Sequence, residues 1–81
     1  MIYIRRVSGN SMNPTLRPGT VVCAIKLKYR PGDVVIAEVR GLDIIKRVSQ
    51  IDGHMVRLVS DNREEGMDEV VTHGYILGKV I

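Results

Sequence analysis

The sequence predicts a single, mainly β domain, and three observations support this fold class. Val and Ile dominate the apolar residues while Phe and Trp are absent, and β-branched side chains favour strands. Short apolar runs alternate with turn signals built on Gly and Pro. No segment shows a sustained helical period. We therefore expect residues 1–81 to form one compact, coiled β-sheet or barrel.

Six strands follow from the positions of the turns. Residues 2–7 form the first strand, and the chain then leaves the sheet because Pro14 and Pro18 cannot donate to a sheet ladder. Short helical turns are expected only at residues 12–16 and 64–70. The remaining predicted strands are residues 20–28, 33–39, 43–51, 54–59 and 75–81.

The turn residues also predict one tight hairpin. Asp52-Gly53 lies between the fourth and fifth predicted strands, and this dipeptide suits the two positive-φ positions of a type I′ turn. Gly41 ends the third strand, and Pro31-Gly32 marks the turn before it.

Composition and charge exclude several function classes. The net charge is +3, the basic residues are dispersed, and only three Tyr supply aromatic rings, so we expect no direct nucleic-acid contact by this domain. A single cysteine, Cys23, excludes an internal disulfide and is expected to be a small buried side chain. No apolar run approaches the roughly 20 residues that span a bilayer. We expect a cytoplasmic protein with no membrane anchor in this chain.

Ser11 lies in the irregular stretch, within the segment VSGNSM at residues 7–12. Serine before a short helical turn often caps it by accepting a backbone hydrogen bond. The position also suits a nucleophile, because Gly9 permits close backbone approach and a turn there places N–H groups beside the hydroxyl. Both interpretations stay open at this point.

Lys46 lies in the fourth predicted strand. Successive strand residues point to opposite faces, so Lys46 shares an apolar face with Ile44 and Val48. The opposite face carries Ile45, Arg47, Ser49 and Ile51. Burial disfavours a charged amine and lowers its pKa, which suits a base that activates a serine. The alternative is a lysine whose stem lies on apolar surface while its amine reaches water.

A Ser-His-Asp triad is the competing enzyme interpretation, since His54, His73 and Asp61 are present. Both histidines adjoin turn glycines, where exposed histidine is ordinary. Neither histidine has metal-ligand spacing with Cys23, so no metal site is predicted.

Several segments, in order along the chain, resemble one superfamily of serine-lysine peptidases. The segment VSGNSM (7–12) resembles the nucleophile box of LexA-like self-cleaving repressors, and SMNPTL (11–16) resembles that of bacterial type I signal peptidases. The resemblance continues through RPG (17–19), RPGDVV (30–35), IKRV (45–48), SDN (60–62) and ILGKVI (76–81). It covers nearly the whole chain and implies the fold of the LexA C-terminal domain and the signal peptidases.

The resemblance implies a serine endopeptidase that hydrolyses a peptide bond in an extended protein segment. Ser11 would be the nucleophile and Lys46 the general base, with an oxyanion hole formed by the backbone N–H groups of Ser11 and Asn10. Met12 would pack beside the serine. Family members bind substrate along a strand edge, with small residues before the cleaved bond. No metal or organic cofactor is implied.

A catalytically silent binding or dimerisation module that keeps the peptidase fold is the alternative function. LexA-like domains also dimerise, and an exposed edge near residues 75–81 is the expected contact of a homodimer. Peptide hydrolysis distinguishes the two hypotheses.

Overall fold

A computed structural model describes all 81 residues and confirms the mainly β fold class. The strands form one antiparallel sheet of seven strands, in the order β1-β2-β7-β3-β4-β5-β6. A short 3₁₀ helix, His73–Tyr75, is the only helix, so no helix of this structure could cross a bilayer. The strands are β1 (Ile2–Arg6), β2 (Val21–Ile25), β3 (Val34–Val39), β4 (Leu42–Asp52), β5 (Met55–Val59), β6 (Glu69–Thr72) and β7 (Ile76–Val80).

The predicted helical turn at residues 64–70 was wrong, because this region leads into the additional strand β6. β6 pairs antiparallel with β5, and its two central residues are the β-branched Val70 and Val71. Residues 12–16 form a single turn closed by a hydrogen bond of 2.8 Å from the Leu16 N–H to the Met12 carbonyl. The turn does not continue as a helix.

The predicted tight hairpin has a different turn from the one expected, and a second tight hairpin joins β3 to β4. β4 extends through Asp52, so the central residues of the β4–β5 turn are Gly53 and His54, and only Gly53 has a positive φ, 59°. This pattern is typical of a type II′ turn, and the predicted type I′ turn was wrong. The β3–β4 hairpin instead turns through Arg40 and Gly41, with φ of 52° and 77°, as a type I′ turn requires.

The core consists of two apolar clusters on opposite faces of β3. Cluster one contains Val35, Ala37, Val48, Val56, Leu58 and Ile76, and cluster two contains Val7, Val22, Ala24 and Ile36. A β-bulge between Val48 and Gln50 reverses the alternation of β4. Ile51 consequently packs against cluster one, on the same side as Val48, and its predicted place on the opposite face was wrong.

The edges of the sheet also differ from the expectation. β7 pairs with β2 on one side and β3 on the other, so it is an interior strand. The exposed edge predicted near residues 75–81 was therefore wrong, and the two edge strands are β1 and β6. Cys23 is free and half-buried rather than fully buried.

Candidate active site

Lys46 is a buried amine fixed by two hydrogen bonds. Its residue is 6% exposed, and Nζ donates to the Ser60 hydroxyl at 2.5 Å and to the Met67 carbonyl at 2.9 Å. Burial lowers the pKa of Lys46, and the neighbouring carboxylates of Glu69 and Asp68 offset part of this effect. The alternative prediction, a lysine whose stem lies on apolar surface while its amine reaches water, is therefore wrong.

Ser11 begins the turn that follows β1, and it is half-buried. Its side chain makes no hydrogen bond to the backbone, so it does not cap the turn as one interpretation supposed. The loop that contains Asn62 docks against this segment: the Asn62 N–H donates to the Ser11 carbonyl at 2.8 Å, and Nδ2 donates to the Asn10 carbonyl at 3.0 Å. The backbone N–H groups of Asn10 and Ser11 donate no hydrogen bond within the chain.

Gly66 is the residue at which Ser11, Lys46 and Ser60 meet. A Cβ added to Gly66 would lie 2.9 Å from the Ser11 Cβ and 3.0 Å from the Lys46 Nζ, and closer still to the Ser60 Oγ. The two predicted site residues thus border one small space, although the amine donates to Ser60 rather than to Ser11. Ser60 lies in one of the segments that resemble the superfamily, but no pattern in the sequence assigns it a role, and none points to Gly66.

A cavity of about 400 Å³ adjoins this point and opens between β1 and the first half of β4. Met12, beside the serine, is 1% exposed and packs into the fold. The cavity is lined by Arg5, Arg6, Val7, Ser8, Ser11, Met12, Leu42, Asp43, Ile44, Ile45, Lys46 and Gly66.

Two unpaired strand edges flank this cavity. β1 pairs only with β2, and β4 pairs with β5 only from Arg47 onward, which leaves the outer edge of its first half free. Val39 and Leu42 flank the two-residue turn between β3 and β4, and they form the first hydrogen-bonded pair of that hairpin. By alternation, the N–H and C=O groups of Asp43 and Ile45 face the free edge. An extended peptide can therefore pair with β4 here.

The structure does not assemble a Ser-His-Asp triad. Neither histidine lines the cavity, and His73 donates from Nε2 to the Gly53 carbonyl at 3.0 Å. Asp61 instead forms an ion pair of 2.8 Å with Arg47. No group of three or more His, Cys, Asp or Glu side chains is arranged to hold a metal ion.

The domain is one antiparallel sheet in which Ser11 lies on the turn after β1 and Lys46 lies on β4. A family model described as Peptidase S24-like matches residues 1–81, the whole chain. The protein therefore belongs to the Peptidase S24-like family, and its predicted membership of the LexA-like superfamily is confirmed. No curated protein matches the chain.

Proposed function

We propose that the protein is a serine endopeptidase in which Ser11 is the nucleophile and Lys46 the general base. The observation that carries this proposal is the meeting of the Ser11 side chain and the buried Lys46 amine at Gly66, beside one cavity. A serine hydroxyl needs a neighbouring base, and burial favours the neutral amine that can serve as one.

The hydrogen bonds of Lys46 support its role as base. A neutral amine has two N–H groups and one lone pair. Ser60 and Met67 accept the two N–H groups, so the lone pair is left for the Ser11 proton. Ser60 thereby acts as a positioning residue for the base.

The reaction proceeds in two steps. The Ser11 Oγ attacks the scissile carbonyl carbon while its proton passes to the Lys46 Nζ, and a tetrahedral oxyanion forms. The free N–H groups of Asn10 and Ser11 are suited to stabilise that oxyanion. The C–N bond then breaks, the leaving amine takes the proton from Lys46, and an acyl ester remains on Ser11. Water attacks the ester through Lys46, releasing the carboxyl product and restoring the serine hydroxyl.

The substrate is an extended segment of a protein, inserted between the free edges of β1 and β4. Its main chain pairs with the exposed N–H and C=O groups of Asp43 and Ile45, which is β-augmentation. Next to the nucleophile, the groove is bounded by the apolar side chains of Val7 and Ile45, which favour a small apolar residue before the cleaved bond.

Cleavage of a mixed peptide library, followed by mass spectrometry, tests this proposal. We expect wild-type protein to cleave a defined subset of peptides, and Ser11→Ala and Lys46→Met to lose at least about a thousandfold in rate. Ser49→Ala removes an exposed serine of β4 and is the matched control that keeps the activity. Far-UV circular dichroism verifies the fold of each variant. Equal cleavage by Ser11→Ala, or no cleavage by folded wild-type protein, would reject the proposal.

A second candidate function, association into a homodimer, is favoured by an apolar outer face. The pairing of β1 with β2 places Ile2, Ile4 and Val21 on one face, and they are 65%, 62% and 55% exposed. Ile81, 68% exposed, is adjacent because its N–H bonds to the Cys23 carbonyl. Sedimentation over a range of concentrations tests this candidate, and Ile4→Lys should abolish any dimer. A monomer at every concentration would exclude it.

A further inference from the structure

One ion pair crosses the gap between the free edges of β1 and β4. The Arg5 Nε donates to the Asp43 Oδ2 at 2.7 Å, and both residues line the cavity. Arg5 shares a face of β1 with Tyr3 and Val7, which contact the second core cluster. Asp43 shares a face of β4 with Ile45, which packs against the same cluster. The ion pair therefore lies on the core side of both strands and forms part of the floor of the groove.

The Arg5 guanidinium is held in place by three separate contacts. Besides the bond to Asp43, Nη1 donates to the Ile4 carbonyl at 2.9 Å, and the guanidinium carbon lies 5.6 Å from the centroid of the Tyr3 ring. The remaining nitrogen, Nη2, makes no hydrogen bond within the chain. Fixing the side chain in advance reduces the entropy lost when a ligand binds. Arg5 is thus a pre-positioned donor on the groove floor.

The floor of the groove has two positions separated by one strand repeat. Val7 and Ile45 form the apolar position next to the nucleophile, and Arg5 and Asp43 form the next position, two residues earlier on both strands. An inserted peptide has the same two-residue period, so alternate side chains face these two positions. The four antiparallel pairings from β1 to β4 make these two strands run in the same direction. If the peptide runs parallel to both and the residue before the cleaved bond faces Val7 and Ile45, the residue two positions earlier faces the ion pair.

We infer that the ion pair makes the groove select substrates with a hydrogen-bond-accepting side chain, Asp, Glu, Asn or Gln, at the third residue before the cleaved bond. This inference rests on the proposed function. An accepting side chain satisfies the open Nη2 donor of Arg5, whereas an apolar one covers the ion pair and leaves that donor unpaired. An acceptor is favoured over a donor because the two cations Arg5 and Arg6 outnumber the single anion Asp43 in the cavity lining, where the Lys46 amine is neutral.

Peptide binding to the Ser11→Ala protein tests this inference without requiring turnover. Fluorescence anisotropy compares three labelled peptides that carry alanine before the position of cleavage and differ only two residues earlier, where they have Leu, Gln or Glu. We expect the Gln and Glu peptides to bind about tenfold more tightly than the Leu peptide. Adding Arg5→Leu to the Ser11→Ala protein should abolish the preference for the Gln and Glu peptides. It should weaken binding of the Glu peptide most, because Asp43 is then an unpaired negative charge.

Arg57→Leu is the matched control, since Arg57 is an exposed strand arginine in a 3.1 Å ion pair outside the cavity lining. It should keep the preference. Arg5→Met, which keeps a long stem but has no N–H donor, replaces Arg5→Leu if that variant does not fold. Three results would overturn the inference. They are tighter binding of the Leu peptide than of the Gln and Glu peptides, an unchanged preference for Gln and Glu in the Arg5 variants, and no binding of any peptide. Binding with the expected preference but no cleavage by wild-type protein would leave this inference standing and reject the proposed peptidase.

Discussion

Gly66→Ala is the sharpest test of how closely the site residues meet. The added methyl group would lie 2.9 Å from the Ser11 Cβ and 3.0 Å from the Lys46 Nζ, and closer still to the Ser60 Oγ. An L-residue at the φ of Gly66, +79°, costs about 1–2 kcal/mol of folding free energy. Overpacking a filled site costs about 1–3 kcal/mol more. We therefore expect the free energy of unfolding to fall by about 2–5 kcal/mol.

Gly41→Ala separates the backbone cost from the steric cost. Gly41 has nearly the same φ, +77°, but an added Cβ would meet no atom within 4 Å. This control should lose only about 1–2 kcal/mol in urea unfolding followed by circular dichroism. The difference between the two variants measures the crowding at the site.

The same two variants should differ in peptide cleavage. Gly66→Ala displaces the Ser60 hydroxyl or the Lys46 amine, and a misplacement of about 1 Å at a site of reaction can cost a hundredfold in rate. Gly41→Ala should keep wild-type cleavage. Equal losses of stability in the two variants, together with full activity in Gly66→Ala, would refute the reasoning.

Three further predictions follow from the contacts of the site. The cleavage rate should rise with pH through the lowered pKa of Lys46, because only the neutral amine accepts a proton. Glu69→Gln removes a carboxylate that favours the charged amine, so it should move this rise to lower pH in a pH-rate profile. Ser60→Ala removes an acceptor of the Lys46 amine, so steady-state kinetics should show kcat at least about tenfold lower with KM nearly unchanged. Asn62→Ala removes the exposed side-chain bond between two loops and should lower the free energy of unfolding by about 0.5–1.5 kcal/mol in urea. The exposed Gln50→Ala should change it by less than about 0.5 kcal/mol.

A specific result would contradict each of these three predictions. An identical pH profile for Glu69→Gln would show that this carboxylate does not act on the amine. A Ser60→Ala variant with wild-type kcat would exclude a positioning role for that hydroxyl. Equal stabilities of Asn62→Ala and Gln50→Ala would mean that the loop contact contributes nothing.

The predictions that held depend on local patterns. Alternation along a strand needs only the neighbouring residues, so Lys46 was correctly placed on a buried face with Val48. The same rule failed for Ile51, because the bulge after Val48 depends on the register with β5. The Asp52-Gly53 signal located the correct hairpin but not its turn type, since the pairing of the two strands also decides which residues are central.

Sequence alone determined the β class of the protein, the irregular loop that carries Ser11 and the apolar face that buries Lys46. These follow from side-chain preference, turn residues and the two-residue period of a strand, all of which are local. Only the tertiary structure showed that Ser60 and Gly66 lie beside Ser11 and Lys46 and that β1 and β4 leave two free edges beside the cavity. The contact between residues 11, 46 and 66 joins distant parts of the chain, and strand order, which no local pattern encodes, brings them together.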